Sequence, residues 1–157
     1  EGFVPPDGHI LVLWNVTDAE NLGLLARSAA ALGASALALG PHCADPFSRK
    51  ALRASMGNTL GLPLFRLAEG ELALLRGTGP SPRLLAAAAL GTRSVELGAS
   101  GRRGPVALVL GNEGFGLPET VVEACDIGLL VPMAEGVDSL NVAACGAIMM
   151  WELFRKR

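Results

Sequence analysis

Tyrosine is absent from this 157-residue sequence, lysine occurs only twice, and the three cysteines form no close pair. Cys43, Cys125 and Cys145 have neither the even number of a disulfide framework nor the spacing of zinc ligands. We expect them to act as small buried apolar residues. The net charge is −2 and a strongly basic arm is lacking, so no bulk electrostatic field attracts the chain to nucleic acid or to a membrane.

Long hydrophobic runs are also missing. The longest, residues 84–90, 106–110 and 143–151, fall short of the ~18 residues of a membrane-spanning helix. No basic segment with an apolar core opens the chain, so we expect a cytoplasmic protein without a secretory signal. Disorder is excluded, because half of the residues are hydrophobic and only 18% are charged. The length fits one domain, which we take to span residues 1–157.

Short apolar runs alternate with segments of helical periodicity along the chain. The predicted strands cover residues 9–16, 35–39, 62–67, 84–90, 106–110 and 127–131. The predicted helices cover residues 21–32, 46–56, 69–76, 118–125 and 139–157. This alternation is typical of α/β proteins and predicts a mostly parallel, six-stranded sheet with helices on both faces. Ligands of such sheets bind at the carboxyl ends of the strands, where residues 15–27, 111–116 and 132–141 hold unusual side chains.

The first of these segments contains Asn21, Gly23 and Arg27. Gly23 and Arg27 are four residues apart and therefore share a helix face. Because Gly23 has no side chain, another element can approach closely beside Arg27. Two plainer interpretations stay open: Arg27 is an exposed residue whose stem lies on apolar surface, and Asn21 is an N-cap.

The second segment, Gly111-Asn-Glu-Gly-Phe-Gly116, follows a predicted strand and precedes a helix, where phosphate-binding loops occur. Its glycine spacing differs from that of dinucleotide folds, and it has no lysine. Glu113 would repel a diphosphate, so a cationic or ribose-bearing ligand fits better. A plain strand-to-helix turn is the alternative.

The third segment ends in Ser139-Leu-Asn-Val142. Ser139 has the chemistry of an N-cap, with Asn141 in the first turn of the last helix. His9 and His42 have no partners at a recognisable spacing, and we interpret both as structural or exposed.

Together and in this order, the segments resemble the SpoU (TrmH-like) class of the SPOUT superfamily, the knotted 2′-O-ribose RNA methyltransferases. The matching motifs are Asn21-x-Gly23-x-x-x-Arg27, Leu108-Val-Leu-Gly-Asn-Glu113-Gly-x-Gly116-Leu117, and Val131-Pro-Met133 with Ser139-Leu-Asn-Val142. The stretch from Ser48 to Gly57 is also similar to this class, so the resemblance spans nearly the whole chain. One departure is Glu135, where many members have glycine; Gly136 follows it.

The resemblance implies an α/β domain with a C-terminal trefoil knot, which general folding rules would not predict. It also implies S-adenosylmethionine as the cofactor, held by three loops. The cofactor-binding residues carried over are Leu90, Gly91, Gly111, Asn112, Glu113, Gly114, Val131, Pro132, Met133, Ser139, Leu140 and Ala143. Four of them, Val131, Met133, Leu140 and Ala143, are suited to an apolar slot for adenine.

The implied reaction moves a methyl group from a sulfonium to a ribose 2′-hydroxyl of tRNA or rRNA. The catalytic residues carried over are Arg27, Asn21, Glu113, Ser139 and Asn141. A guanidinium stays protonated, so we expect Arg27 to orient the ribose and phosphate and to stabilise the developing alkoxide. The resemblance further implies a homodimer and requires neither a metal nor a membrane.

Two rival functions remain. A non-catalytic RNA- or cofactor-binding module on the same fold is disfavoured because all the polar motif residues are present. A nucleotide-dependent enzyme of the ordinary doubly wound type is disfavoured by the glycine spacing and by the lack of a ribose-binding acid. Local basic clusters soften the conflict between the acidic balance and RNA binding, because phosphate contacts need only a local field. For any single cluster, a solvated face is the alternative that the sequence favours. The clusters are Arg49, Lys50 and Arg53; Arg102 and Arg103; and Arg155, Lys156 and Arg157.

Overall fold

The computed structural model describes residues 4–77, 82–88, 94–98, 104–112 and 114–155. The strands are β1 (His9–Leu13), β2 (Ala34–Leu39), β3 (Leu64–Arg66), β4 (Leu84–Ala88), β5 (Ser94–Glu96), β6 (Val106–Leu110) and β7 (Ile127–Leu130). The helices are α1 (Ala19–Ala31), α2 (Arg49–Ala54), α3 (Glu119–Ala124) and α4 (Val142–Phe154). Two 3₁₀ helices cover Asn58–Gly61 and Glu71–Arg76.

A parallel sheet runs through the centre of the described chain in the strand order β3-β2-β1-β6-β4-β7-β5. Every strand pair in it is parallel. The predicted α/β class is therefore confirmed, and each of the six predicted strands is present. The predicted count of six is wrong, because the short strand β5 adds a seventh at the sheet edge beside β7. Its three residues include a single apolar side chain, Val95, which is too little pattern to reveal a strand.

Side chains alternate between two apolar layers, one on each face of the sheet. Leu11 and Leu13 of β1 face the layer that contains α1 and α4, whereas Ile10 and Val12 face the layer of α3 and the 3₁₀ helix Glu71–Arg76. Because both faces are covered, the central strands are apolar at every position rather than at alternate ones. The prediction of helices on both faces is confirmed.

Helices α1 and α4 begin at residues other than the predicted ones, because a different side chain caps the first turn of each. Asp18 caps α1 by accepting a hydrogen bond from the Glu20 backbone N–H at 2.9 Å, so the interpretation of Asn21 as the N-cap is wrong. Helix α4 begins at Val142 rather than at Ser139, because Asn141 and not Ser139 is its cap.

Two other predicted helices are also altered. The predicted helix 46–56 shortens to α2, Arg49–Ala54. The predicted helix 69–76 is the 3₁₀ helix Glu71–Arg76.

The three cysteines are free, and Cys125 is buried as expected, whereas Cys43 and Cys145 are half-buried. Burial, followed by the nearby Asp126 carboxylate, raises the pKa of the Cys125 thiol to about 12. His9 has a structural role: its Nδ1 accepts a hydrogen bond from the Val106 N–H, and its ring stacks on Phe154 at a centroid distance of 4.5 Å. Among the described residues, every helix is too short or too polar to cross a membrane.

Helix α1 packs closely against α2 on one side and α4 on the other, and a glycine lies at each of the two contacts. A Cβ on Gly23 would lie 2.4 Å from the Ala51 carbonyl oxygen and 2.8 Å from the Ala54 Cβ, so α2 packs directly on the α1 backbone. A Cβ on Gly146 of α4 would lie 2.4 Å from the Leu25 Cδ2 of α1. The expected close approach at Gly23 is confirmed, and the approaching element is α2.

We expect Gly23→Ala to destabilise the protein. Extra atoms in a packed contact cost about 1–3 kcal/mol, and the ~1 kcal/mol that alanine gains in helix propensity offsets this only in part. Urea unfolding should show a net loss of up to about 2 kcal/mol in the free energy of unfolding. Gly61→Ala is the matched control, because a Cβ at that position would meet nothing within 4 Å. Equal unfolding midpoints for the two variants would contradict this packing.

Candidate functional site

The carboxyl ends of β1 and β6 lie side by side, and the chain leaves them in opposite directions. After β1 it continues into α1 on one face, and after β6 it continues into α3 on the other. Such a divergence opens a crevice, which is where ligands bind in open α/β sheets. A small pocket occupies this place, lined by Val16, Thr17, Asp18, Asn21, Gly111, Asn112 and Val142.

Asn112 ties the two loops at this pocket together. Its Nδ2 donates to the Asn15 carbonyl oxygen at 3.0 Å, across to the loop that follows β1. Its Oδ1 accepts from the backbone N–H groups of Gly114 at 2.7 Å and Phe115 at 3.3 Å. The carboxamide is thus engaged at both ends in shaping the loop, so the side chain of Asn112 organises the site and leaves ligand contacts to the backbone.

Glycine is required at both ends of the same loop. A Cβ on Gly111 would lie 2.7 Å from the carbonyl carbon and oxygen of Gly116, so no other residue fits there. Gly116 has a φ of 66°, in the left-handed region that glycine adopts without strain. The Gly116 N–H donates back to the Asn112 carbonyl oxygen at 2.8 Å and closes the turn. The glycines therefore make a tight, hydrogen-bonded loop rather than a flexible one.

A hydrogen bond joins the first and third motifs across 120 residues of sequence: Asn141 Nδ2 donates to Asn21 Oδ1 at 3.1 Å. Asn141 also caps α4, because its Oδ1 accepts from the N–H groups of Ala143 at 2.9 Å and Ala144 at 3.4 Å. Asn21 is buried on α1. The two predicted catalytic asparagines are therefore in contact, beside a pocket that the second motif completes.

An ion cluster borders the pocket where α1 begins. Lys50 of α2 lies 2.9 Å from Asp18 Oδ1 and 3.6 Å from Glu20 Oε2. The hydrogen bond from Lys50, followed by that from the Glu20 N–H, lowers the pKa of the Asp18 carboxyl, and the same pairing raises the pKa of Lys50. A basic side chain is thus anchored at the rim of the pocket.

Arg27 is exposed on α1, and among the described residues it makes no hydrogen bond or ion pair. It follows Asn21 by six residues, which is about 9 Å along the helix and on a different side of it. The structure therefore does not bring Arg27 into the small pocket. Its guanidinium is exposed to solvent. This agrees both with a plain surface residue and with the role towards the ribose and phosphate that the resemblance implies.

The loop after β7 offers apolar side chains and free backbone groups. Val131 and Met133 are half-buried, Ala143 is buried, and Pro132, Ser139 and Leu140 are exposed. Within residues 132–140 of the described chain, one hydrogen bond forms, from the Val137 N–H to the Ala134 carbonyl oxygen at 3.1 Å. Gly136, with a φ of 81°, makes this turn despite Glu135. An adenine site needs apolar surface and a few backbone partners, which is the role predicted for this loop.

Several predicted residues lie outside the described part of the chain: Glu113, Leu90 and Gly91 of the site, and Arg102, Arg103, Lys156 and Arg157 of the basic clusters. Two other residues shape the site without having been given a role from the sequence. Asn15 has a φ of 56°, and its buried Oδ1 has no partner among the described residues. Asp18 lines the pocket. For Asn15 the available signal was an asparagine near the carboxyl end of a predicted strand, since asparagine adopts the left-handed conformation more readily than most residues. For Asp18 it was an acidic residue just before a helix.

The fold and the site define an α/β protein with a ligand-binding crevice at the carboxyl ends of a parallel sheet. The model of the SpoU rRNA Methylase family matches residues 8–151. The chain belongs to this family.

Proteins of similar sequence or structure are also named as RNA methyltransferases. An uncharacterized tRNA/rRNA methyltransferase of Mycobacterium bovis is 38% identical over 148 residues, which are 93% of this chain and 51% of that protein. An AdoMet-bound rRNA methyltransferase from Sinorhizobium meliloti has a TM-score of 0.83 and 33% identity, covering 96% of this chain and 57% of that one.

A further solved structure concerns the 2-OH methylation of C/U34 on tRNA. It has a TM-score of 0.77 and 30% identity, and the match covers 96% of this chain and 97% of that one. By contrast, the chain spans only between 51% and 60% of the length of the curated relatives it matches.

The bond between Asn21 and Asn141 predicts how substitutions at the α4 cap behave. Asn141→Ser keeps an oxygen at the cap but does not reach Asn21, whereas Asn141→Ala loses both contacts. Urea unfolding should therefore show Asn141→Ala to be less stable than Asn141→Ser by about 1 kcal/mol, the usual value of a cap. A double-mutant cycle with Asn21→Ala should give a coupling of about 0.5–1.5 kcal/mol. Additive effects in the cycle would show that the two side chains do not interact.

Proposed function

We propose that this chain is the catalytic domain of an S-adenosylmethionine-dependent methyltransferase that acts on a ribose 2′-hydroxyl of tRNA or rRNA. The observation that carries the proposal is the hydrogen bond between Asn21 and Asn141 beside Gly111 and Asn112. It assembles three motifs, far apart in sequence, around one pocket. Family membership supports the same reaction. We place the protein in the cytoplasm, where such RNAs are modified.

The loops after β6 and β7 are the proposed cofactor site. Gly111, Asn112 and Gly114 present backbone groups on one side, and Val131, Met133 and Leu140 present apolar surface on the other, with Ala143 at the start of α4. We carry Leu90, Gly91, Glu113, Pro132 and Ser139 into this site from the motif match. When bound, S-adenosylmethionine supplies an electrophilic methyl group. The residues of the chain then bind the cofactor, align the ribose hydroxyl with the methyl group and exclude water from the site.

Arg27 is the residue proposed to act on the ribose. Its guanidinium is exposed and has no partner among the described residues, so it is available to an RNA phosphate and to the developing alkoxide. It stays protonated and therefore stabilises negative charge rather than taking the proton. Because Arg27 lies outside the small pocket, the ribose must sit between the pocket and the exposed side of α1. We assign Asn21, Ser139 and Asn141 to the polar shell around the ribose and carry Glu113 into it from the motif match alone.

The path of the chain after β7 supports the trefoil knot. Strand β7 lies beyond β4 in the sheet, yet α4 packs back against β6 and α1, with Gly146 close to Leu25 and Leu110. The segment 131–141 must therefore return across the carboxyl ends of β4 and β6. We propose that this return passes through a loop of the chain and so makes the knot that the resemblance implies.

The exposed side of α4 supports a homodimer. On α4, Ala144, Ile148 and Trp151 follow one another at helical spacing, and Trp151 is 57% exposed. Large apolar side chains that share one helix face are typical of an interface. The half-buried Ala30 and Ala147 provide the small-residue surface for close helix packing.

The catalytic proposal predicts that Arg27→Ala lowers turnover and spares cofactor binding. Methyl transfer from labelled S-adenosylmethionine to bulk tRNA and rRNA should fall by ~10²–10³, the usual loss for one preorganised charged contact. Arg27→Lys should not restore it, because an ammonium lacks the planar fork. Calorimetry should give the same S-adenosylmethionine affinity for the wild type and both variants, and weaker or no binding of NAD. Arg66→Ala, another exposed arginine, is the control.

Two outcomes would contradict this assignment. Near-wild-type turnover of Arg27→Ala would make Arg27 a surface residue only. A wild-type chain that binds S-adenosylmethionine and RNA but transfers no methyl group would favour the non-catalytic binding module.

The dimer proposal predicts that a charge on the exposed side of α4 separates the subunits. Light scattering at micromolar concentration should give the native chain about twice its 16.2 kDa mass. Trp151→Lys and Ile148→Lys should return it towards a monomer, and a charged residue at Ala30 or Ala147 should reduce both association and stability. Leu74→Lys, at a 48% exposed position on a 3₁₀ helix, is the control. A monomeric native chain would refute the dimer.

A further inference from the structure

Phe115 is the most exposed large apolar side chain in the described part of the molecule, at 96%. It stands in the loop after β6, between Gly114 and Gly116, so no neighbouring side chain in the sequence covers either face of its ring. At this position the protein forgoes the stabilisation that burial of a phenylalanine provides. A single exposed apolar residue needs no explanation by itself. The hydrogen bonds that hold the backbone of Phe115, and its position beside the pocket, do call for an explanation of its exposure.

The backbone beneath Phe115 is held firmly. Its own N–H donates to Asn112 Oδ1 at 3.3 Å, and the Gly114 N–H donates to the same oxygen at 2.7 Å. The Gly116 N–H closes the turn on the Asn112 carbonyl oxygen at 2.8 Å. The ring is therefore presented to solvent from a fixed loop, and little conformational entropy is lost when a partner covers it.

Phe115 also stands at the rim of the proposed site. Asn112, which accepts its N–H, lines the pocket together with Asp18, and Asp18 in turn binds Lys50 at 2.9 Å. Arg49 and Arg53 are exposed on the same helix as Lys50. A nucleotide chain that crosses the pocket thus meets cations on α2 at one side and an aromatic ring at the other. Proteins that bind single-stranded nucleic acid combine these two features.

We infer that Phe115 is a base-stacking contact that holds a nucleotide of the RNA substrate beside the pocket. This inference rests on the proposed function and deepens it by naming a residue that recognises unpaired RNA. Stacking accepts every base, so the contact selects a single-stranded or splayed nucleotide rather than a sequence. A protein partner is disfavoured, because a specific protein interface needs a continuous surface of about 1,000 Å² or more, and here one ring stands between two glycines.

The test compares Phe115→Ala, Phe115→Leu and Phe115→Trp with the wild type. Phe115→Leu keeps much of the apolar surface but has no aromatic face. Bulk tRNA and fragmented 23S rRNA serve as probes, with their binding followed by fluorescence polarisation and their methylation by label transfer. The RNA Kd and the KM should rise roughly 5- to 150-fold for the alanine variant, which corresponds to the usual cost of losing one stacked base. The leucine variant should be similarly impaired, and the tryptophan variant close to wild type.

Controls separate this inference from the function on which it rests. S-adenosylmethionine affinity should be unchanged in all variants, and Leu74→Ala, which truncates another exposed apolar residue, should leave RNA binding unchanged. If the wild type binds RNA without methylating it, the proposed function fails while the binding comparison still decides the stacking role. An alanine variant with RNA affinity within twofold of wild type, or full rescue by leucine, would overturn the inference. So would dissociation of a dimer by Phe115→Ala, which would make Phe115 a subunit contact.

Discussion

Helix α1 can hold α2 on one side and α4 on the other because a glycine stands at each contact. Because Gly23 has no side chain, the backbone of α2 packs directly on the backbone of α1. Because Gly146 has none, α4 packs directly on Leu25. With α4 at this distance, its first turn lies beside Asn21, and the hydrogen bond from Asn141 forms at 3.1 Å. The polar centre of the site is thus a consequence of helix packing, which fixes how two distant parts of the chain meet.

The sequence predicted the sheet well because its strands are buried on both sides. Continuous apolar runs such as Val106–Leu110 leave little choice of structure once they are bounded by glycine and proline. Strand β5 was missed because it consists of three residues with one apolar side chain at the sheet edge. Helix ends were harder, because Asp18 and Asn141 cap α1 and α4 where Asn21 and Ser139 were equally plausible by type. Strand order and the threading of the chain depend on contacts that local patterns do not encode.

The candidate site was likewise predicted in part. Residue types and order pointed to Asn21 and Asn141, and the structure brings them together. The sequence did not reveal that the side chain of Asn112 is engaged on both sides, or that Phe115 is exposed on a held turn. A motif states which residue occurs at a position, whereas the direction of its side chain is set by hydrogen bonds to residues almost a hundred positions away. Arg27 is the clearest example, because the described residues give its side chain no partner and its proposed role depends on a ligand.

The bond between Asn21 and Asn141 spans 120 positions, and the neighbouring strands β1 and β6 are also far apart in sequence. Contacts of such long range are formed late in folding, because the entropy of closing large loops must first be overcome. A ribosome adds residues in order, and domains acquire their structure as the chain emerges. The loops after β1 and β6 can meet through Asn112 and Asn15 before the last helix is made, whereas the third motif joins them only once synthesis has passed Asn141. A truncation before α4 would therefore remove Asn141 and Val142 from the pocket while leaving its other side in place.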